Sequence, residues 1–194
     1  MSNDKTRILL ILASPKGSFC EALAEAYRDG AQSAGSEVRL IALSQLAFDP
    51  ILRQGYREIQ PLEPDLLAAQ DAIRWAQHLV FIYPLWWGTM PALLKGFVER
   101  VFLPGFAFQY RPDSVLWDKL LSGRSAQLIV TMDTPPWFFR LIYRSAGHRV
   151  MKNNILEFCG VKPVSILNFG SAKTASAHKR QQWLKQAREA GSRV

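Results

Sequence analysis

Five short apolar runs, separated by amphipathic stretches of helical length, leave this chain few folds to choose from. The runs Arg7–Ala13, Glu37–Leu43, Leu79–Tyr83, Ala126–Thr131 and Val164–Phe169 are rich in aliphatic and β-branched residues, the composition of buried strands. Helical patterns follow at Ser18–Ala34, Pro64–Gln77, Pro91–Leu103, Ser145–Phe158 and Ser176–Ala190. Strands that alternate with helices need crossover connections, and these produce a parallel sheet covered on both faces. Glu37–Leu43 is only half apolar, as expected of a strand at or near an edge. Two segments, Ser44–Glu63 and Pro104–Gly123, exceed ordinary connection lengths and read as functional insertions. No repeat or low-complexity tract interrupts the pattern, so residues 1–194 are read as a single α/β domain.

No apolar run is long enough to cross a bilayer. Met1–Arg7 lacks the tripartite pattern of a secretory signal. Cys20 and Cys159 are far apart, with no CxxC or Cys/His cluster. The simplest expectation is a reduced, cytoplasmic protein with no metal. The net charge of +8 is uneven: Thr134–Val194 carries 11 Lys/Arg against 2 Asp/Glu. Such a bias suits nucleic acid or an acidic membrane surface. No nucleic-acid motif accompanies it, so the favoured reading is a solvated helix face that attracts phosphorylated cofactors.

Open parallel sheets bind ligands beyond the carboxyl ends of their strands, which directs attention to three loops. In Ser14-Pro15-Lys16-Gly17-Ser18-Phe19, Ser18 suits a helix N-cap, where free N–H groups and the dipole favour a phosphate, and Lys16 adds charge. Simple helix capping accounts for Ser18 equally well. A single Gly17 makes neither a P-loop nor a GxGxxG turn, which disfavours a nicotinamide-binding Rossmann domain. In Tyr83-Pro84-Leu85-Trp86-Trp87-Gly88-Thr89-Met90-Pro91, two adjacent tryptophans sit on a proline-bounded loop, a setting for a planar ligand or for a neighbouring subunit. In Thr131-Met132-Asp133-Thr134-Pro135-Pro136-Trp137, Thr131 and Thr134 are candidate donors and Trp137 a candidate wall. For Asp133 the commoner role is a turn or a helix cap.

The stretch from Phe81 to Phe102, continued by Pro104–Tyr110, resembles a signature of the NAD(P)H:quinone oxidoreductases of the flavodoxin-like superfamily. Ser18-Phe19 with Ala22-Leu23, Phe48–Ile51 and Ile155–Gly160 match in the same order. The resemblance implies a flavodoxin-like three-layer sandwich with five parallel strands in the order 2-1-3-4-5. It also implies a homodimer with one flavin per subunit, FAD in preference to FMN, and NAD(P)H as electron donor. Ser14, Lys16, Ser18, Phe19, Cys20 and Ala22 match the loop and helix start that hold the diphosphate and adenylate side. Pro84, Leu85, Trp86, Trp87 and Gly88 match the isoalloxazine loop. Thr131, Met132, Asp133, Thr134 and Pro135 approximate the loop at the pyrimidine edge, and Glu99 matches a position that reaches the adenylate part of FAD. Relatives carry His where Ser14 stands and Asn where Cys20 stands. The third loop also lacks their Gly-Gly and the Tyr/His pair that follows it.

The activity so implied is ping-pong transfer of two electrons from NAD(P)H to a quinone or similar aromatic acceptor. Trp86, Trp87, Phe106, Phe108 and Trp137 are expected to form the substrate slot, with Phe108 supplied by a partner subunit. Chemistry at flavin N5 requires no catalytic side chain, and Tyr143 and His148 are the weak candidates for a proton donor. Two rivals are a flavodoxin-type electron carrier, disfavoured by the basic charge, and a regulatory partner of a membrane transporter.

Overall fold

The computed structural model describes residues 5–194. In chain order its strands are β1 (Arg7–Leu12), β2 (Glu37–Ala42), β3 (His78–Pro84), β4 (Phe108–Tyr110), β5 (Trp117–Lys119), β6 (Ser125–Thr131) and β7 (Val164–Phe169). All but β4 and β5 form one parallel sheet in the order β2-β1-β3-β6-β7. This is the expected 2-1-3-4-5 order with a hairpin added between its third and fourth members. The half-apolar strand β2 is an edge, as its composition requires.

The helices are α1 (Phe19–Ser33), α2 (Pro64–Trp75), α3 (Ala92–Val101), α4 (Pro136–Leu141), α5 (Ala146–Arg149) and α6 (Ala177–Gly191). Alternate residues of a strand face opposite sides, and β1 divides its apolar run accordingly. Leu9 and Ile11 join Leu66, Ile73, Leu94 and Phe97 of α2 and α3. Ile8 and Leu10 join Leu23 and Tyr27 of α1 and Trp183 and Ala187 of α6. Helices α1 and α6 meet backbone to backbone: a Cβ on Gly30 would overlap the Arg188 carbonyl, and one on Gly191 the Tyr27 carbonyl.

Three local features depart from the sequence expectations. The single helix expected over Ser145–Phe158 is instead α5 followed by a π-helical turn, Val150–Leu156, in which the Glu157 N–H donates to the Lys152 carbonyl at 2.8 Å. A helix, α4, stands where only loop was expected, started by Pro136 in its first turn. The Pro104–Gly123 insertion contains the antiparallel β4–β5 hairpin. It is held to the body by Trp117, which stacks on Phe158 at 4.5 Å and donates its Nε1–H to the Phe158 carbonyl at 2.9 Å.

The Ser44–Glu63 insertion is fastened by Arg100, a fully buried residue of α3. Its guanidinium donates to the carbonyls of Asp49 and Pro61 and pairs with Glu63 at 2.9 Å. Burial acts to raise the Glu63 carboxyl, but the Asp49 N–H and Arg100 outweigh it and hold the group below its ordinary value. A Cβ on Gly96 would overlap Pro50, so the insertion lies directly on α3.

Candidate functional site

The loop after β3 turns back on itself within four residues. The Trp86 N–H donates to the Thr89 carbonyl at 2.9 Å, and the Thr89 N–H returns to the Trp86 carbonyl at 3.0 Å. The two central residues, Trp87 (φ 50°) and Gly88 (φ 77°), are both left-handed, the geometry of a type I′ turn. Glycine accepts this conformation freely, whereas a tryptophan does so at a cost. The turn holds the Trp87 ring fully in solvent. The loop is anchored on one side by the Leu85 N–H, which donates to the Thr131 carbonyl at 2.7 Å.

Between this turn and the loop after β6 lies a cleft of ≈ 600 Å³, walled by Leu85, Trp87, Gly88, Asp133, Thr134, Phe139, Tyr143 and Ala146. A smaller recess of ≈ 150 Å³ lies beside it, lined by Pro84, Trp86, Thr131, Met132 and Ala172 together with Leu85 and Asp133. The candidate residues of the second and third loops therefore converge, except Pro135 and Trp137, which line neither space. Among the described residues, the backbone N–H groups of Trp87, Gly88, Asp133 and Thr134 have no protein acceptor. An apolar and aromatic wall beside free backbone donors suits a planar heteroaromatic ring with a polar edge. Asp133 makes a long-range structural contact in place of the local turn or helix cap expected of it: its carboxylate accepts the Lys173 N–H at 2.9 Å.

The first loop differs in detail from its expected form. Ser18 occupies the N-cap position of α1, but its side chain accepts no backbone N–H there and its hydroxyl donates to Ser14 Oγ at 2.8 Å. Among the described residues the Ser18, Phe19 and Cys20 N–H groups are left without acceptors, the condition in which a helix start receives a phosphate. Gly17 donates its N–H to the Glu21 carboxylate at 2.6 Å, and Lys16 is exposed. The Cys20 side chain faces inward: its thiol shares a 3.3 Å hydrogen bond with Thr131 Oγ1, and burial raises its pKa to about 11. This contact ties the first loop to the recess. Phe19 packs on Trp183 at 5.9 Å, and Ala22 is half-buried on α1.

Several expected residues lie elsewhere. Phe106 is buried with the Arg74 guanidinium 4.9 Å over its ring. Phe108 is equally buried, with its edge against Phe158 at 5.2 Å. Within one chain neither borders the cleft. Phe108 instead lines a separate groove of ≈ 400 Å³ with Tyr56 and Glu99, where Glu99 is ion-paired to Lys95. Trp137 is exposed on α4 against Phe138, and the wall it was expected to form is supplied by Phe139. His148 is buried behind Phe139, ring to ring at 4.9 Å, and burial lowers its pKa. Of the two weak proton-donor candidates, only Tyr143 reaches the cleft. The sequence reading missed Phe139, Ala146 and Ala172. The proline pair at 135–136, which starts α4, was the available signal for Phe139.

Residues 6–191 match a family model described as a flavodoxin-like fold. The NAD(P)H dehydrogenase (quinone) 1 of Cavia porcellus is 36% identical over 181 residues, covering 79% of this chain and 64% of that protein. The chain thus spans less than two thirds of that relative's length. An uncharacterized NAD(P)H oxidoreductase of Haemophilus influenzae is 29% identical over 171 residues, covering 84% and 82%. The structure of an NAD(P)H:quinone oxidoreductase from Methanothermobacter marburgensis superposes with a TM-score of 0.82 at 26% identity, covering 97% of this chain and 96% of that one. With its 2-1-3-4-5 parallel sheet, and with its ligand-sized cleft at the carboxyl ends of β3 and β6, the chain belongs to the flavodoxin-like family.

Proposed function

We propose that this chain is a flavin-dependent NAD(P)H oxidoreductase that delivers two electrons to a quinone or a similar aromatic acceptor. The observation that carries the reading is the cleft between Trp87 and Thr134, with its aromatic wall and unpaired backbone N–H groups. The names of the relatives and of the 26%-identical structure support the same activity. The Trp87–Gly88 turn and residues 133–134 hold the ring system, and the open start of α1 receives the phosphate. A flavin held there would supply the two-electron chemistry that links NAD(P)H to the acceptor. Leu85, Phe139 and Tyr143 give the planar substrates a surface to stack on, which sets donor and acceptor atoms at reacting distance. The Tyr143 hydroxyl, at the solvent side of the cleft, holds or passes a proton to the reduced acceptor, a task that water also performs.

Both substrates are proposed to use the one cleft in turn, which makes the kinetics ping-pong. FAD is the proposed form of the cofactor, in a two-fold homodimer. Within one chain Glu99 opens onto a different groove from the cleft, so its proposed role toward the adenylate side is exerted across the dimer. The working compartment is proposed to be the cytoplasm.

The test is to purify the protein, record its visible absorbance and identify the released cofactor by mass. Failure to bind FAD or FMN, even after reconstitution, sinks the reading, whereas FMN alone corrects the choice of flavin. Double-reciprocal plots at several acceptor concentrations should be parallel. Intersecting lines rule out the shared cleft.

A further inference from the structure

Next to the mouth of the cleft, the surface changes character. Trp137, Leu141, Ile142 and Tyr143 are each more than half exposed, and Val150 joins them. The aromatic members are contiguous: Trp137 meets Phe138 at 5.7 Å, and Phe138 meets Tyr143 at 5.6 Å. Arg140, Arg144 and Arg149 are exposed among them. Between Pro135 and Lys152 the sequence contains no Asp or Glu, and among the described residues none of these three arginines forms an ion pair. The reading of the cleft does not account for them.

We infer that the α4–α5 face is a docking surface for an anionic lipid bilayer. Interfacial segments combine Trp, Tyr and branched aliphatic side chains, which enter the headgroup layer, with arginines that meet lipid phosphates. This face has both, and in one short stretch. Helix α6 is as basic but differs in kind. Its exposed face carries His, Gln, Lys and Arg without large apolar residues, and Glu189 neutralises part of its charge. It attracts an anionic surface but has nothing to insert. Self-pairing of this face about a two-fold axis is disfavoured, because it would bring arginines toward arginines with no carboxylate in the segment to separate them. Docking by this face places the cleft mouth, where Tyr143 stands, at the bilayer surface. The binding itself does not depend on the redox reading.

The experiment is flotation of the flavin-loaded protein with vesicles of phosphatidylcholine alone or of phosphatidylcholine mixed with phosphatidylglycerol. Binding is expected only to the mixed vesicles, weakening as salt is raised, with a blue shift of tryptophan fluorescence that Trp137→Ala removes. Each arginine near the surface is worth about fivefold in affinity, so R140Q/R144Q/R149Q together should weaken binding by about a hundredfold. Folding of the triple variant is checked by its melting temperature. Turnover with a water-soluble acceptor should be unchanged, which separates this proposal from the redox one. No binding to mixed vesicles, or equal binding to both kinds, overturns the inference. It is also overturned if neutralising Lys179, Arg180, Lys185 and Arg188 of α6 has the larger effect. The same holds if Leu141→Glu and Ile142→Glu convert a dimer to a monomer, which would identify the face as a subunit interface.

Discussion

A Cβ placed on Gly147 would overlap the carbonyl oxygen of Gly88 and lie 3.0 Å from the Thr89 Cα. The start of α5 and the Trp87–Gly88 turn are therefore in backbone contact, and the turn rests on the helix. Gly147→Ala should force the two apart. The expected cost is about 1–3 kcal/mol of stability, as for other overpacked sites, together with weaker flavin retention. Thermal melting and cofactor content after gel filtration measure both. A variant with native melting and full flavin content would show that the turn is placed by other contacts.

Trp87→Ala separates catalysis from stability. The side chain is fully exposed, so its removal should leave melting almost unchanged. It should also remove a wall of the cleft and lower turnover in both half-reactions by between about ten- and a hundredfold. Rates are compared at matched flavin content. His148→Ala should do the reverse. Deleting a buried ring behind Phe139 costs about 2–4 kcal/mol, while activity per flavin-loaded molecule stays within a modest factor. Tyr143→Phe should likewise keep most of its activity. Loss of only the quinone half-reaction in Tyr143→Phe would instead establish that hydroxyl as the proton donor.

His78 predicts how stability responds to acid. At the start of β3 its Nδ1 lies 2.7 Å from Ser125 Oγ, its Nε2 has no partner among the described residues, and burial pushes its pKa down to about 4. The folded value lies below the unfolded one, so between these values the unfolded chain binds a proton that the folded chain refuses. The contribution is complete above about pH 6.5 and is lost as the pH falls toward about 4, amounting to about 3 kcal/mol. Burial shifts His148 in the same direction. Urea unfolding across this range should show the decline, and His78→Asn should flatten it. An unchanged slope in that variant would assign the decline to other groups.

Arg100→Ala should be among the most damaging single changes. It removes a fully buried side chain and leaves the half-buried Glu63 carboxylate and the Asp49 and Pro61 carbonyls without their donor, a loss of about 2–3 kcal/mol. The Ser44–Glu63 segment should open first. Hydrogen exchange localised to residues 44–63 is the readout, and uniform exchange across the chain would refute the idea that Arg100 fastens that segment.

The sheet was legible because each buried strand announces itself as an uninterrupted apolar run, and the crossover rule then orders the strands. The two cleft-lining loops were legible for a similar reason, since tryptophans and prolines at strand ends have few other uses. What escaped was set at long range. Nothing local marks Arg100 as buried, because its partners Asp49, Pro61 and Glu63 are 51, 39 and 37 residues away. The β4–β5 hairpin has only three residues in each strand, and it depends on a stack between Trp117 and Phe158. Phe106 was expected in the slot, and Phe108 in that of a partner subunit, because an aromatic in a long insertion looks exposed; within one chain both are covered. Arg74 and Phe158, from distant segments, cover them.

The backbone contact between α1 and α6 bears on how the protein is made. On the ribosome α6 emerges after every strand of the sheet, yet its Trp183 and Ala187 complete the layer over Ile8, Leu10 and Val80. Until then one face of a nearly finished sheet stays wet and apolar, the kind of surface that chaperones hold and aggregates recruit. Defects in α6 should therefore appear as lost yield of folded protein, with normal turnover in the molecules that escape.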